Sequence, residues 1–438
     1  MAVFYYMTNR IIFTIIFLLS SKLLSLEINR QRCDSLSTVD FSFVGDIMCH
    51  STQFKFAKVG KDSFNFKPVY REIKPYFDNS DVIVGNLETV IEVKGVNFSG
   101  YPVFNTPKEF LEGLKYAGFN FLSTSNNHTF DINEHGVLST LKHIKNIGLK
   151  NVGTYSSQSN RDSVVINEKN GIKFAILSYT YDVNLYEIPE SKSYLVNRID
   201  KKIIENDIKN YRKKGADLVI VFFHFGLEYA KSPNSYQKEI VKKTINFGAD
   251  IIIGSHPHTL QPIEYFKSNN SNIDSGFVAY SLGNFISNQR WRYSDGGAIL
   301  NFTIEKNQLN GKISLAEVRY LPIWVYKGQT ENGSEYIILP TDISVSDSIP
   351  NYLSKEDLRL MSECSEDTYS ILTNFTKNIE IDSIKKSKLR RMKRDYLANK
   401  IFVQDIPVLH NKKNIFINYS DTLSLVHADS TLKYQIYD

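Results

Sequence analysis

Residues Ile251-Ile252-Ile253-Gly254-Ser255-His256-Pro257-His258 join a short apolar run to two histidines that flank a proline. Three isoleucines closed by a glycine have the length and β-branched character of a buried strand. A pair of imidazoles around a proline at the end of such a strand has little structural purpose. Imidazole is, however, a common ligand of divalent cations.

The same arrangement recurs outward in both directions. Val39–Val44 runs into Gly45-Asp46 and then His50. Val82–Val84 runs into Gly85-Asn86-Leu87-Glu88. Phe119–Leu122 leads to Ser125-Asn126-Asn127-His128 and Asp131. Leu218–Phe223 ends in His224, with Glu228 after it. Phe277–Tyr280 leads to Ser281-Leu282-Gly283-Asn284. Ile172–Leu177 is a further buried-strand pattern. Helical patterns lie between them at Lys108–Ala117, Gly136–Ile147, Asp200–Lys214 and Ser235–Phe247. Strands alternating with helices predict an α/β fold with largely buried sheets. Ligands of open α/β sheets sit at the carboxyl ends of the strands, so these scattered segments are expected to meet in one pocket.

The residue types fit one chemistry. Carboxylate, imidazole and amide oxygen together suit zinc, manganese or iron. A carboxylate can bridge two such ions, and a pair of ions can clamp a phosphoryl group. Neutral imidazoles need partners that fix their tautomer, and Asp131 and Glu228 are candidates for that role. His135 and His143 sit on a helical pattern and read as surface residues.

The chain has 438 residues, of which 42% are hydrophobic and 23% charged, so it is expected to fold. A net charge of +5 is mild at this length and selects no partner. Cys33, Cys49 and Cys364 are far apart and suggest neither a disulfide framework nor a zinc ribbon. Arg10 before the apolar run Ile11–Leu19 reads as an export signal, so residues 1–32 are taken as a signal peptide or membrane anchor with a spacer. Ala298–Ile304 and Ile313–Leu321 read as a hairpin. Residues 341–438 form an extension of unknown role, with a helix at Lys355–Leu372. Its basic run Lys385–Arg394 reads as a solvated helix face, and no nucleic acid is expected.

The motifs named above, taken in order with His224-Phe225-Gly226-Leu227-Glu228-Tyr229 and Ser281-Leu282-Gly283-Asn284-Phe285, resemble those of CapA-type capsule synthesis (poly-γ-glutamate) proteins, which belong to the calcineurin-like metallophosphoesterase superfamily. The resemblance covers residues 39–340. It implies a four-layer αββα sandwich, two divalent ions (Mn, Zn or Fe) and hydrolase-like chemistry in synthesis or export of a capsule polymer at the cell envelope. It implies one ion on Asp46, His50, Glu88 and His258. The second ion would share Glu88 and take Asn127, His224 and His256. His128 would protonate the leaving group, with Asp131 beside it. Asn86, Glu228 and Asn284 would act around the ligands or on substrate. The implied partners are an anionic capsule polymer or its precursor and a membrane synthase complex. Two other functions fit the same residues: a metal-dependent phosphoesterase on another substrate, and a polymer-binding assembly factor without turnover. The motifs depart from the wider superfamily in two places: His50 lies four positions after Asp46, and Glu88 stands where an aspartate is usual.

Overall fold

The computed structural model describes residues 36–267, 270–345, 349–375 and 380–381. The expected anchor over residues 1–32 and the basic run Lys385–Arg394 lie outside them. No helix among the described residues is long and apolar enough to cross a membrane.

Two sheets form the centre. The first runs β14 (Gly333–Pro340), β13 (Ile313–Thr330), β12 (Gly296–Asn307), β1 (Leu36–Ile47), β2 (Val82–Leu87), β3 (Phe121–Ser123) and β4 (Lys150–Val152). β11 (Asn284–Ile286) pairs with β1, and β15 (Glu380–Ile381) with β13. The second runs β5 (Asn167–Lys169), β6 (Ile172–Thr180), β7 (Leu218–His224), β8 (Ile251–Ser255), β10 (Gly276–Leu282) and β9 (Leu260–Phe266). β1 to β4 are mutually parallel, as are β6, β7, β8 and β10. Antiparallel strands complete one end of the first sheet, including the expected β12–β13 hairpin, and both ends of the second.

Alternation along the strands builds the layers. Phe41, Phe43, Val84 and Phe121 of the first sheet pack against Phe174, Ile220, Phe222 and Ile253 of the second in one apolar core. The opposite face of the first sheet (Val44, Ile83, Leu122) is covered by Phe110, Leu111 and Leu114 of α1 (Glu109–Ala117) and by Ile144 of α2 (Asn133–Asn146). The opposite face of the second sheet (Val219, Val221, Ile252) is covered by Ile204 and Ile208 of α3 (Lys201–Lys213) and Ile240 and Val241 of α4 (Ser235–Phe247). Helix, sheet, sheet, helix is the expected αββα order. Two of the helices start where their caps dictate: Asp200 accepts from the amides of Lys202 and Ile203, and Asn234 with Gln237 forms a capping box.

The structure adds strands the sequence pattern hides. β9 contains Pro262, which demotes a run in a sequence reading, yet it is an edge strand, where a missing donor is tolerated. Helix α5 (Lys355–Leu372) lies beyond the boundary expected at 340, but it packs on the domain. Its Met361 joins Trp324, Tyr326, Ile337 and Leu339 in a satellite core, and its Leu372 reaches the core between the sheets.

Candidate metal centre

The site begins with a bulge. Pairing of β1 with β2 jumps from Val44–Gly85 to Asp46–Asn86, leaving Gly45 as the extra residue. A bulge turns the following side chain, here Asp46, to a new direction. Only glycine fits there, since a Cβ on Gly45 would lie 1.9 Å from the carbonyl oxygen of Gly283. The Asp46 amide donates to that same carbonyl at 2.9 Å. β2 then contributes Asn86, with Glu88 one residue past its end, and the turn after β3 contributes Asn126, Asn127 and His128.

The second sheet supplies imidazoles. His224 is the last residue of β7, and His256 and His258 follow β8. His256 has φ of 98° and His258 of 56°. Left-handed backbone in non-glycine residues is costly and concentrates at functional sites, where surrounding structure holds it.

These side chains converge. His224 Nε2 is 2.8 Å from Asn127 Oδ1 and 3.6 Å from Glu88 Oε1. His258 Nε2 is 3.9 Å from Glu88 Oε1, and its Nδ1 is 3.0 Å from Asp46 Oδ2 and 3.2 Å from Asn284 Oδ1. Two trios have ligand atoms within 4.8 Å of one another: Glu88, His224 and His256, and Asp46, Glu88 and His258. They share Glu88. All five residues are buried, and Glu88 Oε1 and His256 Nδ1 have no hydrogen-bond partner. Burying an acceptor without a partner costs free energy, and a cation bound to it removes that cost. The donors present therefore fit divalent cations.

Asn86 and Asn126 hold the cluster together. Asn86 Nδ2 lies 2.9 Å from Asp46 Oδ1, 3.2 Å from Glu88 Oε2 and 3.2 Å from His224 Nδ1. Asn126 Nδ2 donates to Asn86 Oδ1 at 3.2 Å and to the Leu87 carbonyl at 2.8 Å. Ser255 Oγ stands 3.1 Å from His224 Nδ1.

Charge follows burial. Desolvation holds His224 well below the ordinary imidazole range and pushes His256 down to about 3, so both are neutral, the ligating form. Burial and the neighbouring Asp46 carboxylate raise Glu88 well above a normal carboxyl. Burial also works to raise Asp46, but hydrogen bonds from His258 and Asn86 and the nearby imidazoles outweigh it and hold Asp46 below its usual value.

Beside the trios, Asp131 Oδ2 is 2.9 Å from His128 Nδ1 and also accepts from the Phe104 amide at 2.8 Å. The Phe104 ring meets His128 edge-on at 4.7 Å. His50 belongs to neither trio. It caps the short helix Ser51–Phe56, and its Nδ1 lies 3.3 Å from both Gln53 Oε1 and the Asn288 amide. Glu228 is exposed, and its side chain bonds Tyr229 rather than an imidazole. The roles of Asn126 and Ser255 are legible only in retrospect from their motifs. Phe104 and Tyr181, whose ring is 4.7 Å from His256, carry no signal in the sequence.

Residues 40–289, more than half of the chain, match the family described as bacterial capsule synthesis protein PGA_cap. A capsule biosynthesis protein CapA of Bacillus anthracis is 30% identical over 275 residues, covering 61% of this chain and 64% of that protein. The PGA biosynthesis protein CapA of Bacillus subtilis (strain 168) is 30% identical over 276 residues, covering 61% of this chain and 68% of that one. A calcineurin-like phosphoesterase structure from B. subtilis, YfkN, is 16% identical with a TM-score of 0.37, covering 76% of this chain and 98% of that one. The αββα architecture stands on the layers described above, not on that likeness. With the ordered strand-end motifs all lying inside the matched residues, the chain belongs to the bacterial capsule synthesis protein (PGA_cap) family.

Proposed function

We propose that this chain acts at the cell envelope in synthesis or export of a capsule polymer of the poly-γ-glutamate type, with hydrolytic chemistry at a site for two divalent ions that share Glu88. The observation that carries the reading is Glu88 Oε1, a fully buried carboxylate oxygen without a partner that stands between His224 and His258. Asp46, Glu88 and His258 would hold one ion, and Glu88, His224 and His256 the other, with Asn127 Oδ1 at hand beside His224. Bound there, the ions would supply Lewis acidity toward an anionic oxygen and lower the pKa of a water. Asp131 accepts the Nδ1 proton of His128 and fixes its ring. That leaves Nε2 as the atom that can pass a proton to a leaving group. Asn86 Nδ2 contacts both the Asp46 and the Glu88 carboxylates and orients them. The substrate on this reading is an anionic capsule polymer or its precursor, and the partner a membrane synthase complex.

Metal content by plasma mass spectrometry, measured beside turnover of a model phosphodiester, tests this. About two transition-metal ions are expected in the parent and none in a His256→Ala, His258→Ala double variant. Asp131→Asn is expected to keep its metal and lose about 100-fold in kcat. A parent that binds no metal and turns over no ester, yet retains an anionic polymer, would replace the hydrolytic reading with that of an assembly factor.

A further inference from the structure

Four large aromatic side chains stand exposed around the metal-ligand cluster, each on a different segment. Tyr101 is 73% exposed, Tyr181 37%, Tyr229 42% and Trp291 52%. Tyr101 faces His128 at 6.4 Å, Tyr181 faces His256 at 4.7 Å, Tyr229 faces His258 at 6.1 Å, and Trp291 meets Tyr229 edge-on at 5.4 Å. Isolated exposed aromatics are ordinary, but convergence of several on one polar site marks a ligand surface.

The placement is built in. The Tyr229 amide donates to the carbonyl of Pro257, the residue between the two site histidines, at 2.7 Å. The Tyr181 amide donates to the His224 carbonyl at 2.9 Å. Tyr229 also takes φ of 62°, a strained conformation for a residue of its size. Its hydroxyl accepts from Gln289 Nε2 at 3.2 Å, which steadies the ring. Two of the four rings are thus tied by backbone hydrogen bonds to the histidine segments themselves.

Resting on the hydrolytic reading above, we propose that this aromatic collar binds a ring carried by the substrate, so that the precursor on which the site acts is a phosphoester of a cyclic polar group, glycosyl or nucleoside. Aromatic faces are electron-rich and attract cations, not carboxylates. Each of the four rings carries a polar tip, three phenols and an indole, which suits a ring with an apolar face and a polar edge better than a hydrocarbon tail.

Trp291 provides a direct reporter. The chain has two tryptophans, and the other, Trp324, is fully buried. Glucose 1-phosphate, uridine 5′-monophosphate and glycerol 3-phosphate are titrated into the full-length protein while tryptophan emission is followed, and kcat/KM is measured for the same compounds. Saturable quenching by a ring-bearing compound and not by glycerol 3-phosphate is expected. In Tyr229→Leu and Trp291→Leu the ratio of kcat/KM for the ringed over the ringless ester is expected to fall roughly tenfold. Whether glucose 1-phosphate or uridine 5′-monophosphate saturates tells which ring is taken. Quenching without turnover of any ester keeps the collar and removes the hydrolytic reading. Turnover with no quenching by either ringed compound, and an unchanged ratio in both variants, overturns the collar and keeps the hydrolytic reading. Absence of both quenching and turnover overturns both.

Discussion

At the scale of single residues, Glu88 and the histidines pull stability in opposite directions with pH. The unfolded chain protonates His224 and His256 below about 6.5, while burial keeps them neutral in the folded metal-free protein. Their contribution is therefore fully present above that value and is lost as pH falls toward about 3, the value for His256. Glu88 is raised instead, so the folded metal-free protein keeps its proton after the unfolded chain has lost it. The stability tied to that proton is present below the ordinary carboxyl value of 4.5 and is lost as pH rises toward the raised value. Glu88→Gln removes this second effect alone. Urea unfolding in excess chelator is expected to show the parent losing stability relative to the variant as pH rises above about 5, because only the parent must give up the buried proton. Parallel curves for the two proteins would mean that Glu88 is ionised without metal. The same variant is expected to bind metal poorly, because it lacks the shared carboxylate.

At the scale of elements, the bulge at Gly45 matters most. It shifts the phase of β1 so that Asp46 leaves the sheet's ordinary alternation, and it lets β1 and β11 meet backbone to backbone. A methyl group at position 45 would collide with backbone, which cannot swing aside as a flexible side chain can. Gly45→Ala is expected to cost about 3 kcal/mol of stability or to give insoluble protein. A thermal midpoint within a degree of the parent's would show that the strands need no such close approach. The apolar run before Gly45 announced the strand. That the glycine forms a bulge depended on its pairing with β2, and that only glycine fits there depended on Gly283, far along the chain.

At the scale of the whole molecule, the site joins the two sheets. Asp46 and Glu88 come from the first and His224, His256 and His258 from the second. A cation held across them ties the two halves of the sandwich together, so binding adds to global stability. At a hundredfold excess over its Kd, manganese or zinc is expected to raise Tm by roughly 5 °C, reversed by chelator and absent in Glu88→Ala. An equal shift in that variant would place the ion elsewhere.

The amino-acid sequence alone determined the strands that lead into the site, most of the long helices and the ligand residue types at those strand ends. Those signals are local: a few β-branched residues closed by glycine, or a cap before a periodic apolar face. Tertiary structure decided which of those residues meet. It put His50 on a helix cap and Glu228 in solvent, and it made Asn86 the link between two carboxylates and an imidazole. It also brought Tyr101, Tyr181 and Tyr229 beside the site's histidines, and Trp291 against Tyr229. The reason is separation along the chain. His258 meets Asp46 across 212 residues, and no pattern with a period of two or 3.6 reaches that far. Only the stacking of two sheets, driven by the apolar residues between them, sets such distances.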